Sequence, residues 1–141
     1  MKIIVAGGRD FNDEDYMYKM LTELMESLDT ESVPELVCGM AKGADLMAKS
    51  IFDNEGLVVH KRPADWKDMS EPCVRKSNSY GEYNALAGMK RNHAMGDEAE
   101  LLIAFWCGSN GTGDMIDYMT KLGKPVYIFY YGELAHKNKR E

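Results

Sequence analysis

The sequence predicts an α/β fold in which helices cover both faces of a parallel sheet. Short apolar runs rich in β-branched residues alternate along the chain with longer stretches of helical periodicity. Such alternation is typical of right-handed β-α-β units, which build parallel sheets. Three glycine-rich loops, at 7–10, 39–45 and 108–113, each follow an apolar run and precede a helical stretch. The 141 residues suffice for one domain with its own core.

The first half of the chain contains three predicted strands and two predicted helices. The strands are 2–6, 35–38 and 57–60, and the helices are 13–28 and 45–55. The first strand is consecutively β-branched, as expected where both faces of a strand are buried. Asn12 is the expected N-cap of the first helix, because acidic residues follow it in the first turn.

The second half continues the alternation after an irregular segment. We predict a helix over 82–95, a strand over 101–105, a helix over 114–122 and a strand over 126–130. The segment 62–81 has no clear period, and loops of about 20 residues are uncommon in compact domains. It is expected to be either a lid over a ligand or a solvated excursion.

For the five strands the leading arrangement is the Rossmann-like order 3-2-1-4-5 in one three-layer domain. This domain is expected to span residues 1–131, and 132–141 form a tail. In that order the chain reverses direction between strands 1 and 4, and ligands bind outside their carboxyl ends. The first and third glycine loops then face each other across that crevice.

Glycine loops that lead into helices can hold an anion, because their amides and the helix dipole both attract negative charge. Arg9 either grips a phosphate or pairs with an aspartate, and Asp45 is either an N-cap or a ligand contact. Trp66 either stacks on a base or anchors its loop to the core. The predicted ligand-binding residues are Gly7, Gly8, Arg9, Asp10, Gly39, Gly43, Asp45, Trp66, Arg91, Asn92, Gly108, Ser109, Asn110, Gly111 and Thr112.

Composition excludes several classes of function. The net charge of −6 argues against binding to nucleic acid, and no apolar run approaches the length of about 20 residues that spans a membrane. The three cysteines form no CxxC pair, so we expect a protein of the reducing cytoplasm without a disulfide framework. We expect no metal and no cofactor. Cys38 and Cys107 each end an apolar run and are expected to be small buried side chains.

The order of the motifs resembles the YspA-like branch of the SLOG superfamily, a Rossmann-like group that includes the Smf/DprA proteins and the LOG enzymes. The motifs that carry this resemblance are Gly7-Gly8-Arg9-Asp10-Phe11, Gly39-x-Ala41-x-Gly43-Ala44-Asp45, Trp66, Ala87-Gly88-x-x-Arg91-Asn92-x-x-Met95, Ala104-Phe105 with Gly111-Thr112, and Gly123-Lys124-Pro125-Val126. The resemblance implies a nucleotide or nucleotide-derived ligand at the glycine loops. Because small members of this branch are common in bacteria and their phages, it also suggests a phage or bacterial source.

The same resemblance bears on catalysis. LOG enzymes hydrolyse the N-glycosidic bond of a nucleoside monophosphate and carry the motif Gly-Gly-x-Gly-Thr-x-x-Glu. Over 108–115 this chain has Met115 at the position of the catalytic glutamate, while Arg91 matches the helix arginine of LOG. Asp10, Asp45 and Asp114 are the remaining candidate carboxylates for such a reaction.

Two functions follow as expectations. The first is a sensor, carrier or sequestering protein for a nucleotide-derived small molecule, whose phosphate Arg9 and Arg91 hold together. The alternative is a nucleoside-monophosphate phosphoribohydrolase with a relocated catalytic carboxylate. We also expect a homodimer or higher oligomer, because relatives commonly associate and the third predicted helix region carries surplus apolar residues, namely Tyr83, Leu86, Met89 and Met95.

Overall fold

A computed structural model describes residues 1–28 and 30–133. The strands are β1 (Lys2–Gly7), β2 (Glu35–Cys38), β3 (Val59–Lys61), β4 (Arg75–Asn78), β5 (Gly81–Asn84), β6 (Leu101–Trp106) and β7 (Val126–Tyr130). Five of them form a parallel sheet in the order β3-β2-β1-β6-β7, and β4 pairs with β5 in a separate antiparallel hairpin. Without the hairpin strands, this order is the predicted 3-2-1-4-5. The prediction of a single Rossmann-like α/β fold is therefore confirmed.

Two helices cover each face of the sheet. The helices are α1 (Glu14–Ser27), α2 (Ala44–Asn54), α3 (Ala87–Glu98) and α4 (Asn110–Lys121). Alternate residues of a strand point to opposite faces, so Ile3 packs with the buried residues of α1 and α2. Its neighbour Ile4 packs with Met95 and Met119 of α3 and α4. The consecutive apolar residues of β1 thus serve two separate core layers.

The hairpin corrects the prediction for residues 62–86. Residues 82–84 pair with β4 instead of starting the third helix, which begins at Ala87. Gly81 turns the hairpin at a φ of 110°, a conformation that favours glycine. Tyr83 lies in β5, Leu86 is the N-cap of α3 and Met95 is buried, so α3 does not present the apolar face from which we expected a dimer. Self-association stays a prediction.

The fourth helix also begins earlier than predicted. It starts at Asn110 instead of Asp114, so Gly111 and Gly113 belong to its first turns and only 108–109 remain a loop. At α1 the N-cap is Asp13, whose carboxylate accepts a hydrogen bond of 3.0 Å from the Tyr16 amide, and not Asn12. Both differences move a helix start without changing the order of the elements.

None of the helices in the described ranges is long and apolar enough to cross a membrane. Residues 134–141 of the predicted tail lie outside the described residues.

Candidate functional site

A cavity of about 680 Å³ opens at the carboxyl edge of the sheet, where β1 and β6 lie side by side. The loops after β1, β2 and β6 form its walls together with α3 and α4. Its lining residues are Ala6, Gly7, Gly8, Arg9, Asp10, Ala41, Asp45, Arg91, Asn92, Met95, Cys107, Gly108, Ser109, Gly111, Thr112 and Met115. The cavity therefore lies at the crevice that the strand order predicts.

Most of the predicted ligand-binding residues line this cavity, and four do not. Gly39 lies behind it, where its carbonyl accepts a hydrogen bond from Arg91. Gly43 packs against the loop after β1, and Asn110 begins α4. Trp66 lies on the hairpin side of α3, where its ring meets Tyr83 edge to face at 6.3 Å.

Two glycines let the loop after β1 pack closely, Gly8 against Tyr131 and Gly43 in the loop after β2 against the Gly8 carbonyl. Gly8 is buried, and a Cβ at this position would overlap the Tyr131 hydroxyl. Gly43 has a φ of 88°, and a Cβ there would overlap the Gly8 carbonyl. The Ala44 amide donates to that same carbonyl at 3.2 Å. A side chain larger than hydrogen at 43 would push the loops after β1 and β2 apart, and one at 8 would displace Tyr131.

An unusual serine lies at the N-terminus of α4, in the wall of the cavity. Ser109 is the N-cap of α4, yet its hydroxyl makes no capping hydrogen bond. Its Oγ is buried and has no partner among the described residues. An unpaired buried hydroxyl is costly, and here it lies at the positive end of a helix dipole.

Two arginines contribute positive charge from opposite sides. Arg9 is exposed, and no carboxylate of residues 1–28 or 30–133 lies within 4.0 Å of its guanidinium. Arg91 is half-buried; it donates to Asn92 Oδ1 at 2.9 Å and to the carbonyls of Gly39 and Arg62. Burial lowers the pKa of Arg91, and the charge of Asp45 opposes that effect. Arg9 is therefore the arginine whose donors are available, while Arg91 also holds the loops after β2 and β3.

Asp45 is the one strongly buried carboxyl in the described part of the cavity wall. Its side chain belongs to the first turn of α2, and the residue is 8% exposed. Oδ2 accepts a hydrogen bond of 3.3 Å from the Ala41 amide. Burial raises the pKa of Asp45 to about 6, although the Ala41 amide, Arg91 and Arg9 all act to lower it. This carboxyl changes its charge close to neutral pH.

The other two candidate carboxylates already have partners. Asp10 accepts a hydrogen bond of 2.6 Å from the Tyr131 hydroxyl. Asp114 does not line the cavity, and its Oδ2 lies 3.1 Å from Nε2 of His93. Met115, at the position where LOG enzymes have glutamate, is 1% exposed and gives the cavity an apolar floor.

Sequence reasoning missed several neighbours of this site. Cys107 lines the cavity and is half-buried, whereas Cys38 is buried as expected. The His93–Asp114 pair was hidden because the predicted start of α4 lay four residues too late. The His93 ring also stacks on Tyr118, with centroids 4.0 Å apart. For Tyr131, which follows the last strand, no sequence motif gave a signal.

Comparison with known proteins gives one match. Residues 1–68 match the family model YAcAr, described as the YspA, cpYpsA-related SLOG family. No curated protein and no solved structure matches the chain. The matched region covers β1, α1, β2, α2 and β3, and so includes the loops that carry Gly8 and Asp45. The resemblance to the YspA-like SLOG branch seen in the sequence is thereby confirmed over residues 1–68.

Proposed function

We propose that this chain binds the phosphate of a nucleotide-derived small molecule in the cavity, and acts as a sensor, carrier or sequestering protein. The observation that carries the proposal is the N-terminus of α4 at the cavity, where Gly111 and Thr112 of its first turn line the wall and the first amides of a helix have no partner within the helix. Phosphate oxygens are strong acceptors and bind at helix N-termini. A phosphate at this place would accept hydrogen bonds from the first amides of α4 and lie at the positive end of the helix dipole.

The surrounding charges support an anionic ligand. The Arg9 guanidinium can form two parallel hydrogen bonds to a phosphate, and it has no carboxylate partner in the described chain. Arg91 adds a second positive charge, already fixed in place by Gly39 and Arg62. A volume of about 680 Å³ also lies within the range typical of small-molecule sites.

Binding without hydrolysis is favoured by the apolar floor of the cavity. Met115 cannot activate water or stabilise positive charge on a sugar, which is what glycosidic cleavage needs. The carboxylate of Asp114 faces His93 instead of the cavity. Features that suit a phosphate are thus combined here with the lack of a glutamate at 115, which supports a binding protein.

Calorimetric titration with AMP tests the proposal. The wild-type chain should bind AMP, and Arg9→Ala should weaken binding about tenfold to a hundredfold, because one charge-assisted contact is lost. Its free energy of unfolding should not change, since Arg9 makes no ion pair in the described structure.

Arg75→Ala is the matched control. This arginine is 62% exposed in the hairpin, where it pairs with Glu82, and its loss removes the same charge far from the cavity. Equal weakening by both variants would indicate a general charge effect. Absence of binding to both AMP and inorganic phosphate would refute the proposed function.

A nucleotide hydrolase is the second candidate, and Asp45 is the observation that favours it. A buried carboxyl with a pKa of about 6 can exchange protons near neutral pH. Incubation with nucleoside monophosphates, followed by chromatography for released base, tests this activity. Base released by wild type but not by Asp45→Asn would establish the enzyme; no release by either supports the binding protein.

A further inference from the structure

The carboxylate of Asp45 is out of place in a cavity that attracts anions. It lies in the same cavity wall as Arg9 and Arg91, yet neither arginine approaches it within 4.0 Å. A negative charge here repels a phosphate. The carboxylate therefore needs a role other than attracting the phosphate.

Holding the loop after β2 does not account for the charge. The hydrogen bond from the Ala41 amide uses only Oδ2, and the side-chain oxygen of an asparagine could accept it equally well. Burial of a charged carboxylate is unfavourable, as the raised pKa of Asp45 indicates. An asparagine would hold the loop without that penalty.

The second oxygen of the carboxylate is available to a ligand. Oδ1 accepts no hydrogen bond from residues 1–28 or 30–133, since the bond from Ala41 to Oδ2 is the one that the Asp45 side chain makes there. It is also not sealed inside the protein, because the only buried unpaired side-chain atom of the described residues is Ser109 Oγ. An ionised carboxylate accepts hydrogen bonds and donates none. The group that it recognises must therefore be a donor.

From this arrangement we propose that Asp45 accepts a hydrogen bond from a ribose hydroxyl of the ligand and makes the site selective for nucleotides that carry this hydroxyl over the deoxy analogue that lacks it. The inference rests on the proposed function, in which the phosphate of the same molecule lies near Ser109 and Arg9. In a nucleotide the groups beside the phosphate are the sugar hydroxyls, which donate hydrogen bonds. Carboxylates recognise ribose hydroxyls by the same chemistry in Rossmann folds that bind dinucleotides.

The test compares AMP with 2′-deoxyAMP and 3′-deoxyAMP by calorimetric titration of the full chain at pH 8. A site built to bond a hydroxyl discriminates strongly against an analogue that lacks it. We expect wild type to bind AMP about tenfold or more tightly than at least one deoxy analogue. Equal affinity for all three would overturn the inference, and this comparison needs no variant.

Asp45→Asn then assigns the preference to this residue. The variant keeps an acceptor for the Ala41 amide but loses the charge, so we expect its AMP preference to fall to within about threefold. Inorganic phosphate should bind as tightly or more tightly, because a repulsive charge is gone. A variant that keeps the wild-type preference would assign the discrimination to another group and overturn the role of Asp45.

Asp53→Asn provides the matched control, since it makes the same change on the same helix. Asp53 is 48% exposed and pairs with Lys49, outside the cavity lining, and we expect the wild-type preference in this variant. The failures remain distinguishable. Loss of all phosphate and AMP binding refutes the proposed function, whereas binding without discrimination refutes the ribose contact alone.

Discussion

Two polar networks lie on either side of α3, the cavity on one side and the inserted hairpin on the other. In the hairpin network Asn84 is fully buried and makes four hydrogen bonds. Its Oδ1 accepts from the amides of Val74 and Leu86, and its Nδ2 donates to the carbonyls of Asp68 and Pro72, all at 2.9–3.2 Å. Every hydrogen-bonding position of this side chain is used within the chain.

The cavity network differs in leaving its polar groups incomplete. Among residues 1–28 and 30–133, Ser109 Oγ has no hydrogen-bond partner and Arg9 forms no ion pair. Asp45 accepts a hydrogen bond there through one of its two carboxylate oxygens. Both networks consist of similar residue types in loops and helix ends. A complete network stabilises the fold, whereas an incomplete one leaves polar groups to which a ligand could bond.

Lys90 belongs to the complete network and links the insert to α3. Its ammonium donates to Asp68 Oδ2 at 3.1 Å and to both oxygens of Ser70. The segment that we expected to be either a lid or a solvated excursion is thus tied to the helix at its first half. Whether it moves on ligand binding stays a prediction.

Replacement of Asn84 should have the largest effect on stability. Asn84→Ala removes four hydrogen bonds of a fully buried side chain and leaves two amides and two carbonyls without this partner, so we expect the free energy of unfolding to fall by about 3 kcal/mol or more. Urea denaturation measures the change. Asn78→Ala, which removes one exposed bond to the Tyr80 amide, should cost less than about 1 kcal/mol. Equal effects of the two variants would contradict the structural role of Asn84.

The sheet and the position of the cavity could be predicted because they depend on local patterns. Buried parallel strands are continuously apolar, as in 101–105, and glycine loops follow them where the chain turns into a helix. The carboxyl ends of parallel strands share one edge, so loops far apart in sequence meet there. These rules need no knowledge of long-range contacts.

The hairpin and the state of each side chain could not be predicted in this way. Residues 75–78 are all polar and exposed, so β4 has none of the apolar alternation that marks a strand. The α4 start was misplaced because glycines at 111 and 113 normally disfavour a helix. Whether Ser109 or Asn84 has hydrogen-bond partners depends on elements that are distant in sequence.

The next largest effect is expected for Asp45→Asn, which should weaken the pH dependence of the free energy of unfolding. The folded pKa of Asp45 is about 6, above its ordinary value of 3.8. The native state therefore holds this proton more strongly than the unfolded chain, and the resulting stability is full below pH 4 and lost as the pH rises through 6. Between pH 4 and pH 8 the free energy of unfolding of wild type should therefore fall by about 2–3 kcal/mol more than that of Asp45→Asn.

Urea unfolding of both proteins at pH 4 and pH 8 measures this difference. At each pH the measured quantity is the difference in free energy of unfolding between wild type and Asp45→Asn. The remaining titratable groups are common to both proteins, so their contributions cancel when this difference at pH 8 is compared with that at pH 4. Asp53→Asn controls for the loss of an exposed helix carboxylate. If this difference does not change with pH, then ionisation of Asp45 does not destabilise the fold. The contrast between the two networks would then rest on Ser109 and Arg9.

The smallest effect on stability is expected for the replacement of two serines, one in the cavity network and one in α1. Ser109→Ala removes a buried hydroxyl that makes no hydrogen bond in the described chain, so the free energy of unfolding should stay the same or rise by up to about 1 kcal/mol. Phosphate affinity should fall about threefold to tenfold, because the hydroxyl can no longer turn toward the anion and donate to it. Ser27→Ala removes a hydroxyl that donates to the Leu24 carbonyl at 2.8 Å; it should leave phosphate affinity unchanged. Calorimetric titration with inorganic phosphate and urea denaturation of each variant separate the two. If Ser109→Ala loses stability and binds phosphate as wild type does, then this hydroxyl belongs to the fold, and the cavity is not held open for an anion.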